Sequence, residues 1–394
     1  FDVQKRQGFG PKRECLHGRF TGIAGHRESR HDATKGSQAF GEHQSSEIRS
    51  GDIAFGDKER GEQALSKTKP PVSHRGVTPW DVTKDSGRPE QAVVIGAGLA
   101  GAHVARALAE RGIPVVVLER GEVASGGSSN LQGLTYTRLS RRFAPLSDFA
   151  LISYCHAIDH YRYLLAAERL GPDDGAICGY LQVSKDQKTL DYLVDALTEQ
   201  EAPAEVVHPD RASEILGLPV TDHGLFYPDA LWLNPPAVCR ERLDHPLIST
   251  TDNCGDVTQE KTASGWVAKT ETGITHEAST LVLATALSLS SNPYTQWLPL
   301  QGIRGQTTHA PATSISASLS TAFCHEGYFP PPRRGIHCLG ASYGPNDVTL
   351  AERLEEHQDN LERLNEALPG LGFTQDTREL TGHVALRCTS ADYL

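Results

Sequence analysis

The 394-residue chain contains no methionine and no long apolar run. No stretch of about 18 uncharged apolar residues occurs, so the sequence predicts no membrane-spanning helix. The eight cysteines include no CxxC pair and no zinc-ligand spacing, so no metal site is predicted. The net charge of −11 argues against a general nucleic-acid-binding protein. These absences favour a globular, cytoplasmic protein with reduced thiols.

The first 88 residues differ in composition from the rest of the chain. Residues 1–88 contain 16 Lys and Arg against 12 Asp and Glu, whereas residues 89–394 contain 22 against 37. Residues 21–88 are rich in Gly, Ser, His, Lys and Glu. Their apolar residues recur with neither the period of a helix nor that of a strand, so we expect a disordered linker or insertion. Residues 1–20 are typical of the end of a folded unit. Because the chain begins with Phe1 and lacks Met, we expect a fragment of a longer protein.

The residues from Gln91 onward predict a strand–helix–strand unit. Val93–Ile95 form a short apolar run, Ala100–Arg111 has a helical pattern, and Val115–Leu118 form a second apolar run. Such a unit has two parallel strands and a right-handed crossover. Further predicted helices and strands follow, which indicates a mixed α/β architecture in which a nucleotide-binding domain is interrupted by a second domain.

A glycine-rich turn connects the first strand to the helix and carries the strongest motif. The first glycine permits a tight turn, the second lets a pyrophosphate approach the helix N-terminus, and the third lets the helix pack close to the strand. An acidic side chain at the end of the second strand would accept hydrogen bonds from a ribose. The alternative is a glycine-rich turn without a ligand. The predicted cofactor-binding residues are Gly96, Ala97, Gly98, Leu99, Ala100, Gly101, Glu119 and Arg120.

Two later segments favour FAD as the nucleotide. Residues 125–133 form a second Gly/Ser/Asn loop directly after the ribose strand, and Asn130, Gln132 and Gly133 are its candidate cofactor-binding residues. An ordinary surface turn is the alternative for this loop. Residues 281–286 resemble the Ala-Thr-Gly strand that passes under the cofactor in amino-acid-oxidase-like folds. Ala284 and Thr285 are therefore candidates as well, although Ala286 replaces the usual glycine.

Several sequence blocks extend this pattern, two of them before residue 89 and the others over nearly all of 89–394. They are Gly8–Glu14, Thr78–Trp80, Asn130–Gly133, Gly179–Gln182, Gly224–Pro228, Trp232–Pro236, Arg304–Gln306, Gly327–Phe329, His337–Ala341 and Leu386–Leu394. In this order they resemble the bifunctional tRNA 5-methylaminomethyl-2-thiouridine biosynthesis proteins, in which a methyltransferase precedes an oxidoreductase of the D-amino-acid oxidase and glycine oxidase type. Ser129 and Leu131 depart from the family's Gly-Asn-Pro-Gln-Gly loop.

The resemblance implies a Rossmann-type FAD-binding domain interleaved with an α+β substrate domain. It assigns about 89–147, 205–255, 275–297 and 378–394 to the FAD-binding part, and about 148–204 and 298–377 to the substrate part. Residues 1–20 then correspond to the end of the methyltransferase. The rest of that half, with its S-adenosylmethionine, would precede Phe1, and a final FAD-binding segment would follow Leu394.

The implied activity is an FAD-dependent oxidation of a CH–NH group. It removes the carboxymethyl group from the 5-carboxymethylaminomethyl side chain of a tRNA wobble uridine, and tRNA is the implied partner. Two alternatives stay open: an oxidase of free amino acids or amines similar to glycine oxidase, and a catalytically dead, truncated flavoprotein. The sequence indicates neither the oligomeric state nor the electron acceptor.

Few side chains are needed for this chemistry, because the flavin takes the electrons directly from the substrate. A substrate carboxylate favours an arginine fork, for which Arg304 and Arg387 are candidates, and an internal ion pair is the alternative for each. Tyr328 is a candidate for one wall of the flavin site, with a core tyrosine as the equal alternative. The histidines are interpreted as packing or surface residues, namely His309, His325, His337 and His383.

Overall fold

The computed structural model describes residues 87–137, 145–184, 203–373 and 376–390, together with residues 139, 188, 190, 191 and 193. The predicted methyltransferase remnant at 1–20 and all but the last two residues of the predicted linker at 21–88 lie outside this part of the chain. Within the described residues, no helix is long and apolar enough to cross a membrane.

Helices and strands are numbered in chain order. The α-helices are α1 (Leu99–Glu110), α2 (Pro145–Ala166), α3 (Pro209–Leu216), α4 (Pro235–Leu243) and α5 (Leu354–Ala367). The first strands are β1 (Ala92–Ile95), β2 (Val115–Leu118), β3 (Gly133–Leu134), β4 (Gly175–Ile177), β5 (Tyr180–Ser184), β6 (Glu205–Val207), β7 (His223–Tyr227), β8 (Leu231–Leu233) and β9 (Ile248–Thr251). The later strands are β10 (Val257–Lys261), β11 (Trp266–Thr270), β12 (Thr275–Ala278), β13 (Thr280–Leu283), β14 (Leu300–Pro311), β15 (Ala322–Cys324), β16 (Tyr328–Phe329), β17 (Ile336–Gly340), β18 (Gly344–Pro345) and β19 (Thr381–Ser390).

A four-stranded parallel sheet has the order β13-β1-β2-β9. All four residues of β1 are buried, as their apolar character requires in a strand covered on both faces. Helix α1 packs its small side chains Ala102, Ala105 and Ala109 inward, and it ends before Gly112, whose φ of +74° is readily adopted by glycine. The predicted Rossmann-type unit is therefore confirmed.

A large mixed sheet forms the second part of the fold. Its strands follow the order β14-β17-β16-β15-β5-β7-β6, and β19 and β18 also pair with β14. Helix α5 packs on β14 and β17. Its inward residues Leu361 and Leu364 join a core cluster with Phe323 and Phe329 from the sheet.

Two three-stranded sheets complete the fold. Strands β10, β11 and β12 form an antiparallel sheet that lies between β9 and β13 along the chain, and the predicted hairpin in residues 257–272 is its first half. Strands β3, β8 and β4 form the other sheet, which attaches the loop after β2 to the segment before α4.

Strand pairing crosses the expected division of the chain in two stretches, and the division itself stays a prediction. Strands β6 and β7 lie within 205–255, which the sequence assigned to the FAD-binding part, but they pair with each other and with β5 in the large sheet. Strand β19 lies within 378–394 and pairs with β14 along its length. The reason is that strand partnership depends on contacts distant in sequence, which local patterns do not specify.

Candidate functional site

The glycine turn after β1 brings α1 into close contact with the parallel sheet. The Gly96 amide donates to Leu118 O at 2.8 Å, its φ is +104°, and a Cβ there would lie 2.5 Å from Ala284 O. A Cβ on Gly101 would overlap Gly96 O. Glycine is therefore required at both positions, in the roles that the motif predicts.

The N-terminus of α1 faces the loop that follows β2. Gly98 is the N-cap residue and supplies no side-chain cap. Ser128 Oγ instead accepts from the Leu99 amide at 3.1 Å, and a Cβ on Gly98 would lie 3.0 Å from the same oxygen. Amides at a helix N-terminus, with the helix dipole behind them, favour an anion such as a pyrophosphate. The sequence did not single out Ser128, since a hydroxyl in a Gly/Ser loop carries no signal of its own.

The carboxylate at the end of β2 organises the turn beside the glycines. Glu119 Oε2 accepts from the Ala97 amide at 2.7 Å, and its Oε1 accepts from the Gly121 amide at 3.1 Å. Each oxygen retains a second acceptor position, which a ribose hydroxyl can use. Arg120 is exposed, and its Nη1 lies 3.6 Å from Asp256 Oδ1 in a surface ion pair.

Gln132 and Gly133 lie where the loop enters β3. Gln132 is fully buried and donates from Nε2 to Pro331 O at 2.9 Å. Among the described residues its Oε1 has no hydrogen-bond partner. Asn234 fixes the same loop, because its Nδ2 donates to Leu131 O at 2.9 Å while its Oδ1 caps α4. Asn130 is partly exposed at the loop's edge.

The end of β13 lies next to the glycine turn. The Ala284 amide donates to Ile95 O at 2.8 Å, and Thr285 is the N-cap of a 3₁₀ helix, Ala286–Ser291. Ala286 has φ +48°, in the left-handed region that favours glycine. The departure from Ala-Thr-Gly therefore falls at a position where glycine would be unstrained.

These features together fit an FAD. Gly96 and Gly101 let the turn and α1 pack close to the sheet, α1 presents amides, Glu119 presents acceptors, and Gln132 holds an unpartnered buried oxygen. Buried polar atoms usually have partners, so an unpartnered one indicates a group that completes the site. In the described part of the chain, no cluster of three or more His, Cys, Asp or Glu residues is placed to hold a metal ion.

Arg304 lies on β14 in an internal ion pair. Its side chain is 1% exposed, and its Nη1 donates to Glu356 Oε2 at 2.9 Å. Its Nη2 donates to Ala351 O at 2.6 Å and to Gln306 Oε1 at 3.2 Å. Its Nε has no hydrogen-bond partner among the described residues and lies 3.9 Å from Asp347 Oδ2. Because both Nη atoms donate within the protein and the side chain is buried, this position fits the alternative interpretation of Arg304, an internal ion pair.

Arg387 lies on the neighbouring strand β19 in a different environment. Its Nη1 donates to Ser342 O at 3.1 Å and to Arg304 O at 3.3 Å. Among the described carboxylates, none forms an ion pair with it. Burial lowers the pKa of its guanidinium, whereas the nearby Tyr328, Tyr136 and Tyr343 raise it. The residue as a whole is exposed, so this unpaired guanidinium is accessible to an anionic ligand, which it can bind with two parallel hydrogen bonds.

Tyr328 is partly buried close to Arg387. Burial raises the pKa of its phenol well above the usual value, and its hydroxyl lies 3.7 Å from Cys338 Sγ. Gly305 provides the space for Arg387, because a Cβ on Gly305 would overlap the guanidinium. The structure thus brings Tyr328 and Arg387 together and separates them from the guanidinium of Arg304.

The four candidate histidines are at least partly buried, and two of them form short hydrogen bonds within the protein. Burial lowers the pKa of His309, His325 and His337 to about 4. His337 bonds Pro330 O through Nδ1 and Ser316 Oγ through Nε2, each at 3.0 Å. His383 Nε2 lies 2.7 Å from Ser129 Oγ. That contact ties β19 to the loop beside the N-terminus of α1.

Comparisons with known proteins agree with this geometry. The family model "FAD dependent oxidoreductase" (DAO) matches residues 91–394. Two curated relatives, from Chromobacterium violaceum and Stutzerimonas stutzeri, are each named tRNA 5-methylaminomethyl-2-thiouridine biosynthesis bifunctional protein MnmC. They are 39% and 40% identical over 318 and 316 residues, which is 78% of this chain in both cases. The chain spans 47% of the length of each relative.

Solved structures show the same fold. Glycine oxidase from Geobacillus kaustophilus superposes with a TM-score of 0.64 at 20% identity, covering 78% of this chain and 84% of that one. L-proline dehydrogenase from P. horikoshii superposes with a TM-score of 0.60 at 15% identity, covering 77% and 82%.

Proposed function

Because this chain belongs to the family of FAD-dependent oxidoreductases, we propose that it oxidises the carboxymethylaminomethyl group of a tRNA wobble uridine. The observation that carries the proposal is the identity of 39% over 318 residues to a bifunctional protein of tRNA 5-methylaminomethyl-2-thiouridine biosynthesis. The relatives are about twice as long, so the proposal concerns the oxidative step only. A tRNA substrate implies a cytoplasmic location.

The proposed reaction breaks the bond between the amine nitrogen and the carboxymethyl group. FAD, when bound, would supply the two-electron oxidant. The carbon between nitrogen and carboxylate loses a hydride, which carries both electrons, and the nitrogen loses a proton. The resulting imine is hydrolysed by water, which releases glyoxylate and leaves a primary aminomethyl group on the uridine. That amine is the group that a methyltransferase would then alkylate.

The chain's own residues are assigned by their surroundings. We assign the binding of FAD to the glycine turn Gly96–Gly101, to Glu119 and to the loop 130–133, with Ala284 and Thr285 beside them. Arg387 would bind the substrate carboxylate, because it is exposed, has no described carboxylate partner and carries a planar guanidinium that matches a carboxylate. Tyr328 would form one wall of the same site. Arg304 would act only through the carbonyl that accepts from Arg387.

The test is a comparison of two substrates. Flavin-loaded protein is incubated with tRNA that carries the carboxymethylaminomethyl group and, separately, with free glycine. We expect glyoxylate and an aminomethyluridine in the digested tRNA, with little glyoxylate from glycine. Comparable turnover of the two substrates would indicate an oxidase of small amines, and a protein without flavin would indicate a degenerate relative.

A further inference from the structure

Two exposed tyrosines lie close to the arginine that we assign to the substrate carboxylate. Tyr136 is 45% exposed and Tyr343 is 54% exposed. Both interact electrostatically with the Arg387 guanidinium, and Tyr343 directly follows Ser342, whose carbonyl accepts from Arg387 at 3.1 Å. Exposed aromatic side chains that are gathered beside a binding group mark a candidate ligand-binding surface.

The ring of Tyr136 is supported on one face. It stacks on Tyr180 with 5.5 Å between ring centroids and 15° between ring planes. The backbone on either side is fixed, since the Thr135 amide donates to Leu231 O at 2.9 Å and Tyr227 donates to Thr137 O at 3.0 Å. A ring that is buried on one face and exposed overall presents its second face to a planar ligand.

The position of Tyr343 is fixed through its neighbour. The Ser342 amide donates to Gln306 O at 3.0 Å, and Ser342 Oγ accepts from the Gln306 amide at 2.9 Å. The same hydroxyl donates to Glu356, which pairs with the buried Arg304. This network holds the start of the segment between β17 and α5 beside Arg387.

We propose that Tyr136 and Tyr343 bind the uracil base of the substrate by stacking, while Arg387 binds its carboxylate. The inference rests on the proposed function. Four bonds separate the carboxylate carbon from the uracil ring, about 5 Å. A base attached to a carboxylate held by Arg387 must therefore lie next to the guanidinium, where the two phenol rings are. Aromatic side chains are the usual partners of unstacked bases in RNA recognition.

A substrate such as glycine would make no use of these rings. It occupies the carboxylate site and the reacting position, and it has no planar group beyond the nitrogen. The two tyrosines therefore determine specificity for a nucleoside and are not catalytic residues.

The experiment compares variants on a large and a small substrate. Tyr136→Leu and Tyr343→Leu remove the ring, and Tyr136→Phe and Tyr343→Phe keep it. Flavin-loaded proteins are assayed with an anticodon stem-loop that carries 5-carboxymethylaminomethyluridine, and with N-methylglycine. For each leucine variant we expect kcat/KM on the stem-loop to fall about 5- to 150-fold, mainly through KM, as expected for the loss of one stacked base. The fall on N-methylglycine should be much smaller.

Controls separate stacking from damage to the fold. The phenylalanine variants should retain wild-type binding of the stem-loop, measured by fluorescence anisotropy, and Tyr163→Leu removes another exposed ring, from α2, without altering selectivity. Equal losses on both substrates, or no loss on the stem-loop, would overturn this inference alone. A wild-type protein that oxidises N-methylglycine but not the stem-loop would overturn the proposed function and this inference together.

Discussion

At the scale of single residues, Gly101 decides how closely α1 approaches the sheet. A Cβ there would overlap the carbonyl oxygen of Gly96 and lie 3.3 Å from Ala284 Cβ. We expect Gly101→Ala to displace the helix N-terminus, to reduce flavin content and to destabilise the fold by about 1–3 kcal/mol, as overpacking does. The measurements are the flavin-to-protein absorbance ratio and the urea midpoint.

Gly126 is the matched control for that change. It lies in the loop beside the same site, has no atom within 4 Å of an added Cβ, and does not have positive φ. Gly126→Ala should therefore keep the wild-type flavin content. If both variants bound flavin like the wild type, the assignment of the glycine turn to the cofactor would be wrong.

Arg387 is expected to act through the shape of its guanidinium as well as its charge. A planar fork binds a carboxylate with two parallel hydrogen bonds, which an ammonium does not reproduce. We expect Arg387→Lys to raise KM for a carboxylated amine about 10-fold or more, since hydrogen bonds to charged groups contribute about 1.5–3 kcal/mol. Arg162→Lys, in an exposed pair with Asp229, is the control. Unchanged KM in the Arg387 variant would exclude it from carboxylate binding.

The residue-level predictions from sequence succeeded where a role depends on neighbours in the chain. The spacing of Gly96, Gly98 and Gly101 is local, and the structure has the tight turn at Gly96 and the close packing at Gly101 that the motif predicts. The approach of a pyrophosphate to Gly98 stays a prediction. Arg304 and Arg387, in contrast, were indistinguishable, because both follow the pattern of a strand end. They differ only in tertiary contacts: Arg304 faces Glu356 from α5, and Arg387 has no described carboxylate partner.

At the scale of elements, the parallel sheet is predictable from neighbouring residues, whereas the large sheet depends on contacts distant in sequence. The parallel sheet begins with a strand, a helix and a strand that are contiguous in sequence, so periodicity predicts it. In the large sheet, β5 is parallel to β15 and antiparallel to β7. These pairings join segments that are far apart, and either strand alone shows only a short apolar run. The sequence therefore did not predict that β7 pairs with β5 and β19 with β14.

The 3₁₀ helix after β13 starts at a strained residue. Ala286 has φ +48°, a conformation that costs an L-residue about 1–2 kcal/mol relative to the right-handed region. We expect Ala286→Gly to stabilise the protein by about 1 kcal/mol, because glycine adopts this conformation without the Cβ conflict. Thermal unfolding with bound flavin measures the effect. Ala107→Gly, within α1, should instead destabilise by about 1 kcal/mol, and a loss of stability in both variants would contradict the argument.

At the scale of the whole molecule, the candidate site joins the two main sheets. The glycine turn and Glu119 belong to the parallel sheet, whereas Arg387 and Tyr328 belong to the large sheet. The loop after β2 connects them, through Ser128 at the N-terminus of α1 and through Ser129, which bonds His383 on β19. A cofactor that spans this region would therefore contact both sheets, and its binding should stabilise the whole fold.

The buried histidines make that fold sensitive to acid. Burial lowers the pKa of His337 to about 4, whereas an unfolded histidine has a pKa of about 6.5. Between these values the unfolded chain binds a proton that the folded protein does not, so stability falls as pH falls. The contribution is complete above about pH 6.5 and is lost by about pH 4. His103, His309 and His325 have pKa values lowered to about 4 for the same main reason and act in the same direction.

We therefore expect the free energy of unfolding to decrease steeply from pH 7 to pH 5, with His337 contributing up to about 2 kcal/mol of the decrease. Urea denaturation at the two pH values measures it. His337→Gln loses the bonds to Pro330 and Ser316 and should be less stable at pH 7, but the difference between the two pH values should shrink, because glutamine does not titrate. A variant with the full wild-type difference would show that His337 is not kept neutral by the fold.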